Sequence, residues 1–411
     1  MYDAIIVGAR CAGSPTAMLL ARQGFKVLLV DRASFPSDTL STHILWPHGA
    51  EVLARWGLLE LLAATGAPPI CRRMTFDVGA FALHGTIPDA NDGRGGFCPR
   101  RTVLDSLLLH AAVEAGVEVR EGFAVDELLT SGDVVDGIRG HGRDGRPIEE
   151  SARIVIGADG VNSFVARAAR AEEYDARPVA ACGYYSYFSG VEQDDIELYV
   201  RDHHAFGGVP TNNGLHLVMV NWPAPAFPAI RADIEGSVWR ALESAPGFAA
   251  RVRAGRREER WYGTAGLHGY FRKPYGPGWA LVGDASYHKD PITAQGISDA
   301  FIEAETLAAT LTTSWTTGAP LEDGMAAHEA ARNERVRPMY EFTTELAALD
   351  PAPPELRALF GALHGNQDAT NAFLSAITGA VPLREFMSPE NLARIMAAAS
   401  ARSQVGSAAS E

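Results

Sequence analysis

Ile5-Ile6-Val7-Gly8-Ala9-Arg10-Cys11-Ala12-Gly13 decides the fold of this chain. The apolar run Ile5 to Val7 reads as a buried strand, and the glycines open an apolar helical stretch from Ser14 to Gln23. A second strand, Lys26 to Val30, ends in Asp31. Strand, tight turn, helix, strand and acid together make the context in which a glycine motif signals a dinucleotide site. Gly8 makes the turn, Gly13 lets helix and strand pack closely, and the first helical N–H groups face a pyrophosphate. Asp31 is then placed to accept hydrogen bonds from an adenosine ribose. One position departs from the G-x-G-x-x-G pattern: Arg10 stands where the second glycine lets a phosphate approach the backbone. Either Ala9 and Ala12 leave room and the Arg10 side chain swings out to the phosphate or substrate, or the turn is not a phosphate cradle.

Two further signatures follow in a fixed order. Ile154-Val155-Ile156 runs into Gly157-Ala158-Asp159-Gly160, and Ala280-Leu281-Val282 runs into Gly283-Asp284-Ala285. Together the three motifs resemble the class A flavoprotein monooxygenases built on the para-hydroxybenzoate hydroxylase fold, whose relatives include flavin halogenases and geranylgeranyl reductases. The resemblance spans residues 1 to 310 and implies FAD as cofactor. It implies cofactor contacts at Gly8, Arg10, Ala12, Gly13, Asp31, Arg32, Val125, Asp159 and Gly160. By the same resemblance Asp284 bonds the ribityl chain, and the loop from Ser286 through Pro291, Ala294, Gln295 and Gly296 lies beside the isoalloxazine ring. The helix beginning there aims backbone donors at the pyrimidine edge, where charge collects on reduction. Arg101, opening Arg101-Thr102-Val103-Leu104-Asp105, resembles the arginine that reaches the flavin phosphates. Thr42 and His43 fall in the segment that lies along the ribityl and ring portion. The arginine the family carries three residues after Ser163 is Ala166 here, with Arg167 beside it. One residue turns a helical side chain by about 100°, so the family role does not transfer to Arg167. Thr293 stands where relatives often have glycine, which predicts a stiffer or differently bent loop.

Composition narrows the class. A chain of 411 residues with 47% hydrophobic and 21% charged content is ordinary for a globular protein long enough for two cores. A net charge of −14 argues against nucleic acid. No stretch supplies the roughly 20 apolar residues of a membrane span, since Ala372 to Leu383 is interrupted by Gly379 and Pro382. The opening residues read as the start of a strand, so no signal segment is expected. Cys11, Cys71, Cys98 and Cys182 lack metal-ligand spacing, so no metal is expected, and reduced thiols fit a cytoplasmic location.

The expected fold is α/β. A Rossmann-like FAD-binding domain (1–69, 97–174 and 273–310) interleaves with a β-sheet substrate-binding domain (70–96 and 175–272). A C-terminal helical region (311–397) and a flexible tail (398–411) follow. Strands are expected over Met74 to Leu83, Pro178 to Ser189, Ile196 to Val200 and Gly214 to Asn221. In Gly183-Tyr184-Tyr185-Ser186-Tyr187-Phe188, alternation puts Tyr185 and Tyr187 on one face and Tyr184, Ser186 and Phe188 on the other.

The resemblance implies a monooxygenase that uses NAD(P)H and O2 to hydroxylate or epoxidise an aromatic or unsaturated small molecule, in secondary metabolism or catabolism. His43, Tyr185, His288 and Asp290 are the candidate catalytic residues, each also readable as a structural hydrogen-bonding group. A reductase of the geranylgeranyl type is the alternative, although its Y-x-W-x-F-P motif is missing. Halogenation is disfavoured because no lysine occurs between Lys26 and Lys273. Arg10 and Thr293 are the support for a non-catalytic flavin-binding relative. With no second dinucleotide fingerprint, NAD(P)H would bind transiently or a separate flavin reductase would supply electrons. A monomer and a homodimer both remain open.

Overall fold

The computed structural model describes residues 1–70, 72–87 and 95–408; Cys71 and part of the 70–96 segment lie outside them. The strand Tyr2–Val7 is parallel to Val27–Asp31 on one side and to Pro147–Gly157 on the other, with Ile6 opposite both Leu29 and Ile156. Trp279–Leu281 adds parallel to Pro147–Gly157, and Glu118–Glu121 adds parallel to Val27–Asp31. Parallel strands are covered on both faces and therefore read as continuous apolar runs. Ala4 and Ile6 pack with Met18, Leu20, Leu104, Phe301 and Leu307 of three helices. Ile5 and Val7 pack against Phe123, Val155 and Val165 on the opposite face. The three signature turns leave adjacent strands at the same, C-terminal edge, the edge at which such sheets bind ligands.

A second sheet is antiparallel over most of its width. Ala181–Ser189 pairs with Leu215–Pro223, followed by His204–Pro210 and Ile196–Arg201, and then by Met74–Asp77 and Ala82–Gly85. The single strand expected from Met74 to Leu83 is thus two, because a Val78 N–H to Phe81 carbonyl bond closes a turn between them. Alternation places side chains as expected. Tyr187 and Leu217 face a cluster with Phe76, Phe360 and Phe373, while Tyr184 and Phe188 join Phe206, Val238 and Phe248 on the far side.

Two features differ from expectation. Tyr287 and His288, expected in the flavin loop, form a short strand against Gly269–Arg272, which also pairs with Glu173–Arg177. The tail expected to be loose from residue 398 continues the helix Pro389–Ala408. Alanine-rich sequence favours that helix, Ile395 is buried in the aromatic cluster, and Arg402 donates to the Ala362 carbonyl at 2.7 Å. Among the described residues, no helix is long and apolar enough to cross a membrane.

Candidate FAD and substrate site

The glycines of the first turn are set by contact. Gly8 has φ +105°, and a Cβ there would overlap the Ala158 carbonyl; one at Gly13 would overlap the carbonyl of Gly8. Gly283, at φ +64°, would place a Cβ 2.7 Å from that of Ala12. All three signatures therefore touch, and only glycine permits it. Asp31 accepts from the Ala9 and Ala33 N–H groups, both at 2.7 Å.

Arg10 does swing out, onto protein partners. It donates to Asp105 at 2.7 Å, to the Ser37 hydroxyl at 2.9 Å and to the Ser37 and Asp38 carbonyls, and its guanidinium lies over Phe35. These contacts make Arg10 an anchor that ties the turn to the Ser37–Asp38 strap and to the helix Arg101–Glu114. Asp105 is fully buried and also holds Arg101 (3.0 Å) and the Cys11 thiol (3.3 Å). Burial opposes the Arg101 charge, yet Cys11, Asp105 and Asp284 outweigh it and keep the guanidinium firmly protonated. Asp159 takes the Ser163 hydroxyl at 2.5 Å and the Phe164 and Val165 N–H groups, capping the helix Phe164–Ala168. Arg167 donates to the Asn162 carbonyl beside it. Arg32 and Thr42 keep exposure, and half-buried Val125 packs beside Phe123 at the Asp31 end.

Asp284 behaves differently from these acids. Its carboxylate is exposed and has no hydrogen-bond partner among the described residues. A Cβ on exposed Gly296 would meet only Asp284 Oδ1, at 4.0 Å, so the helix start opens onto the same space. Residues without a sequence signature hold this turn. Glu303 accepts from Gly283 N (2.7 Å) and Ser286 Oγ (2.5 Å), and Arg332 donates to Ser286 Oγ (2.6 Å). Arg272 donates to the Ala285 carbonyl at 3.1 Å. Glu303's only local trace is a charge on an apolar helical face beside Ala300, Ala304 and Leu307.

The loop beyond is fastened at each step. Asp290 accepts from Ile292 N at 3.0 Å and Ala181 N at 3.3 Å, joining the loop to the second sheet, and burial pushes its carboxyl up to about 6. Pro291–Thr293 form a short 3-10 turn. Thr293, the expected stiff point, bonds Thr343 at 2.8 Å and accepts Trp46 Nε1 at its carbonyl. Ala294 is left-handed at φ +55°, and Gln295 donates to the Ile377 carbonyl at 3.2 Å.

Of the candidate catalytic residues, Tyr185 alone keeps exposure at the junction of the two sheets. It stacks on Tyr262 (5.5 Å, 27°), and burial followed by the Asp38 charge raises its phenol to about 12. His43 sits behind it, fully buried, at φ +63°, with Nε2 at 2.8 Å from the Tyr187 hydroxyl. Burial, reinforced by Arg101, drops its pKa to about 3. A neutral ring with no exposed atom supports Tyr187 rather than reaching a substrate, which corrects its catalytic assignment. His288 faces the small sheet instead, 2.8 Å from the His268 carbonyl and against Tyr270. Arg100, unmarked in the sequence, lies 4.0 Å over the Tyr187 ring and pairs with Glu259 (2.6 Å) and Asp38 (3.6 Å). A surface depression of about 1010 Å³ opens elsewhere, lined by Thr75, His84, Glu197 and Arg251 and by none of the signature residues.

A family model described as FAD binding domain matches residues 1–343. The chain belongs to this FAD-binding family. It is 23% identical over 319 residues to the 1H-pyrrole-2-carbonyl-(peptidyl-carrier protein) brominase of Pseudoalteromonas luteoviolacea, covering 74% of this chain and 75% of that one. It is 28% identical over 309 residues to digeranylgeranylglycerophospholipid reductase 2 of Methanothermobacter thermautotrophicus, covering 72% of this chain and 74% of that one. A probable FAD-dependent monooxygenase from Pseudomonas aeruginosa superposes with TM-score 0.69 at 23% identity, covering 90% of this chain and 98% of that one, and shares the fold. The protein is thus an FAD-dependent oxidoreductase by family. Its own geometry fits that cofactor: the unpartnered Asp284 carboxylate and the open backbone at Gly160 and Gly296 suit a bound dinucleotide. Asp31, the N–H groups after Gly8, Arg101, Asp284 and the Gly296 helix start are the groups that would hold it.

Proposed function

We propose that this flavoprotein is a monooxygenase that uses NAD(P)H and O2 to hydroxylate or epoxidise an aromatic or otherwise unsaturated small molecule. The observation that carries the reading is the stacked Tyr185–Tyr262 pair, backed by Tyr187 and half-exposed where the second sheet meets the Ser37–His43 strap. Such faces bind and orient planar, unsaturated groups. Bound FAD supplies the electron transfer and oxygen activation. The protein's part is orientation, with Arg100, Asp38 and Glu259 forming a polar rim around the aromatic pair. It also keeps the site dry through the apolar wall of Trp46, Leu217 and Ile377. Asp290, with its carboxyl near 6, is the group on the loop that can hold or release a proton near neutral pH.

The digeranylgeranyl reductase relative supports a second reading, saturation of a carbon–carbon double bond without oxygen. Halogenation is disfavoured, since no lysine occurs between Lys26 and Lys273 and buried Lys289 is committed to Asp299 and Tyr287. The reading takes the chain as cytoplasmic, monomeric or homodimeric, with electrons from transient NAD(P)H or a separate flavin reductase.

The test is anaerobic mixing of FAD-loaded protein with NADPH or NADH and a panel of aromatic compounds, followed by admission of 18O2. Compound-accelerated bleaching of the flavin band and one 18O atom in the product support the monooxygenase. Product lacking 18O and gaining two hydrogens selects the reductase.

A further inference from the structure

Behind the first turn of the helix Gly296–Thr317 lies a charge cluster, buried at Lys289 and reaching solvent at Arg335, that the reading above leaves without a role. Lys289, 7% exposed, donates from Nζ to the Tyr287 hydroxyl at 2.9 Å and to the Asp299 carboxylate. Asp299 also pairs with Arg335 at 3.2 Å. Two cations face one carboxylate, so the cluster carries a net charge of about +1. His48 packs alongside, but burial holds it near 4 and it adds no charge at neutral pH.

The position is expensive for a cation. Burial pulls the Lys289 ammonium down from its ordinary value, Asp299 alone among its hydrogen-bond partners restores it, and the positive end of a helix dipole works against it. An apolar side chain of similar volume would fill the space without that desolvation. What the charge faces explains it. Asp299 lies in the first turn of the helix whose exposed start, Gly296, opens onto the Asp284 carboxylate, and Asp284 is among the charges Lys289 feels. Nothing in the short sequence motifs marks this pairing; it arises only because the loop folds Lys289 back under the helix.

We propose that Lys289, clamped by Asp299 and Tyr287, is a fixed positive charge that stabilises reduced FAD. This rests on FAD lying at the Gly296 helix start. Hydride from NAD(P)H brings two electrons and one proton to the oxidised ring, leaving oxidised nicotinamide and one negative charge on the flavin. Lys289 and the helix start act together on that charge through a low-dielectric interior. Lys289 is a positioning residue in the electrostatic sense; it does not touch the reacting atoms.

The experiment equilibrates the FAD-loaded protein with a reference dye under anaerobic reduction and reads the flavin's midpoint potential. Lys289→Met should lower it, shifting the flavin–dye equilibrium by about tenfold or more toward oxidised flavin. Lys289→Gln, which keeps hydrogen-bonding capacity without the charge, gives the same reading if the methionine variant does not fold. Lys289→Arg should restore the potential. Tyr287→Phe, which removes the neutral partner only, should leave it in place. An unchanged potential in a flavin-loaded Lys289→Gln or Lys289→Met variant overturns the proposal, as does an equal shift in Tyr287→Phe. Asp284→Ala separates the two readings: full flavin retention there would mean that the cofactor site itself is misplaced.

Discussion

Asp284 stands apart from the other acids around the cofactor turns because no hydrogen-bond donor among the described residues holds it; the charges of Arg101 and Lys289 feel it. Asp31, Asp105 and Asp159 each accept from backbone or side-chain donors, whereas the Asp284 carboxylate is exposed and unpartnered among the described residues. An unpaired surface carboxylate adds little to folding. Asp284→Ala should therefore leave the thermal midpoint of the apoprotein unchanged while weakening FAD by about tenfold to a hundredfold, the loss of a hydrogen bond to a charged group. Flavin titration and a melt of the same preparation check both halves. Arg10 predicts the opposite pattern. Its guanidinium spans Asp105, Ser37 and Asp38, so Arg10→Ala should lower stability by about 1 to 3 kcal/mol, leaving Asp105 one donor short. FAD affinity should change less than in Asp284→Ala. Unchanged urea stability with lost flavin would put Arg10 back on the phosphate.

The three signature turns depend on elements that meet them from far along the chain. Glu303 reaches Gly283 and Ser286 from the helix Gly296–Thr317, and Arg332 reaches Ser286 from the helix Leu321–Ala347, 46 residues on. Glu303 and Arg332 are 3.8 Å apart and both nearly inaccessible. Arg332→Met should cost about 3 to 5 kcal/mol by leaving a buried charge without its partner, and adding Glu303→Gln should recover part of that loss. Equal destabilisation of single and double variants by urea would refute the coupling. The same contrast explains what was legible in the sequence. Parallel strands buried on both faces announce themselves as apolar runs, and Gly8, Gly13 and Gly283 are required by contacts that a Cβ would break. Tyr185 and Tyr187 could be assigned to one face because strand alternation is local. Glu303, Arg332 and Arg100 could not be foreseen, since each acquires its role only when distant segments pack. His43 misled for the same reason: its segment resembles the one that lies along the flavin in the family, but its left-handed backbone turns the ring inward to Tyr187.

Across the whole molecule, neutral histidines sit where the layers join. His43 lies between the strap and the second sheet, His48 packs against Gly379 near the C-terminal helices, and His328 is buried on the helix Leu321–Ala347. Burial is the main cause in each, lowering them to about 3, about 4 and about 4. Because these folded-state values lie below the ordinary 6.5, the unfolded chain takes up their protons first. Their contribution is complete above 6.5 and is lost as pH falls. Asp290 works in the other direction: raised to about 6, it favours the fold at low pH and loses that contribution as pH rises toward 6. Glu303 and Asp159, also raised by burial, share its sign. The Asp290 window runs from 3.8 up to about 6, so between pH 7.5 and 6 the three histidines outweigh it. Stability of the FAD-saturated protein should fall over that interval on the order of 2 kcal/mol, read as a shift of the urea midpoint. His48→Gln should remove about a third of the fall, since each ring is held neutral mainly by its own burial. A urea midpoint that does not move between pH 7.5 and 6 would mean that water reaches these rings in solution and that the joints between the layers are looser than their packing implies.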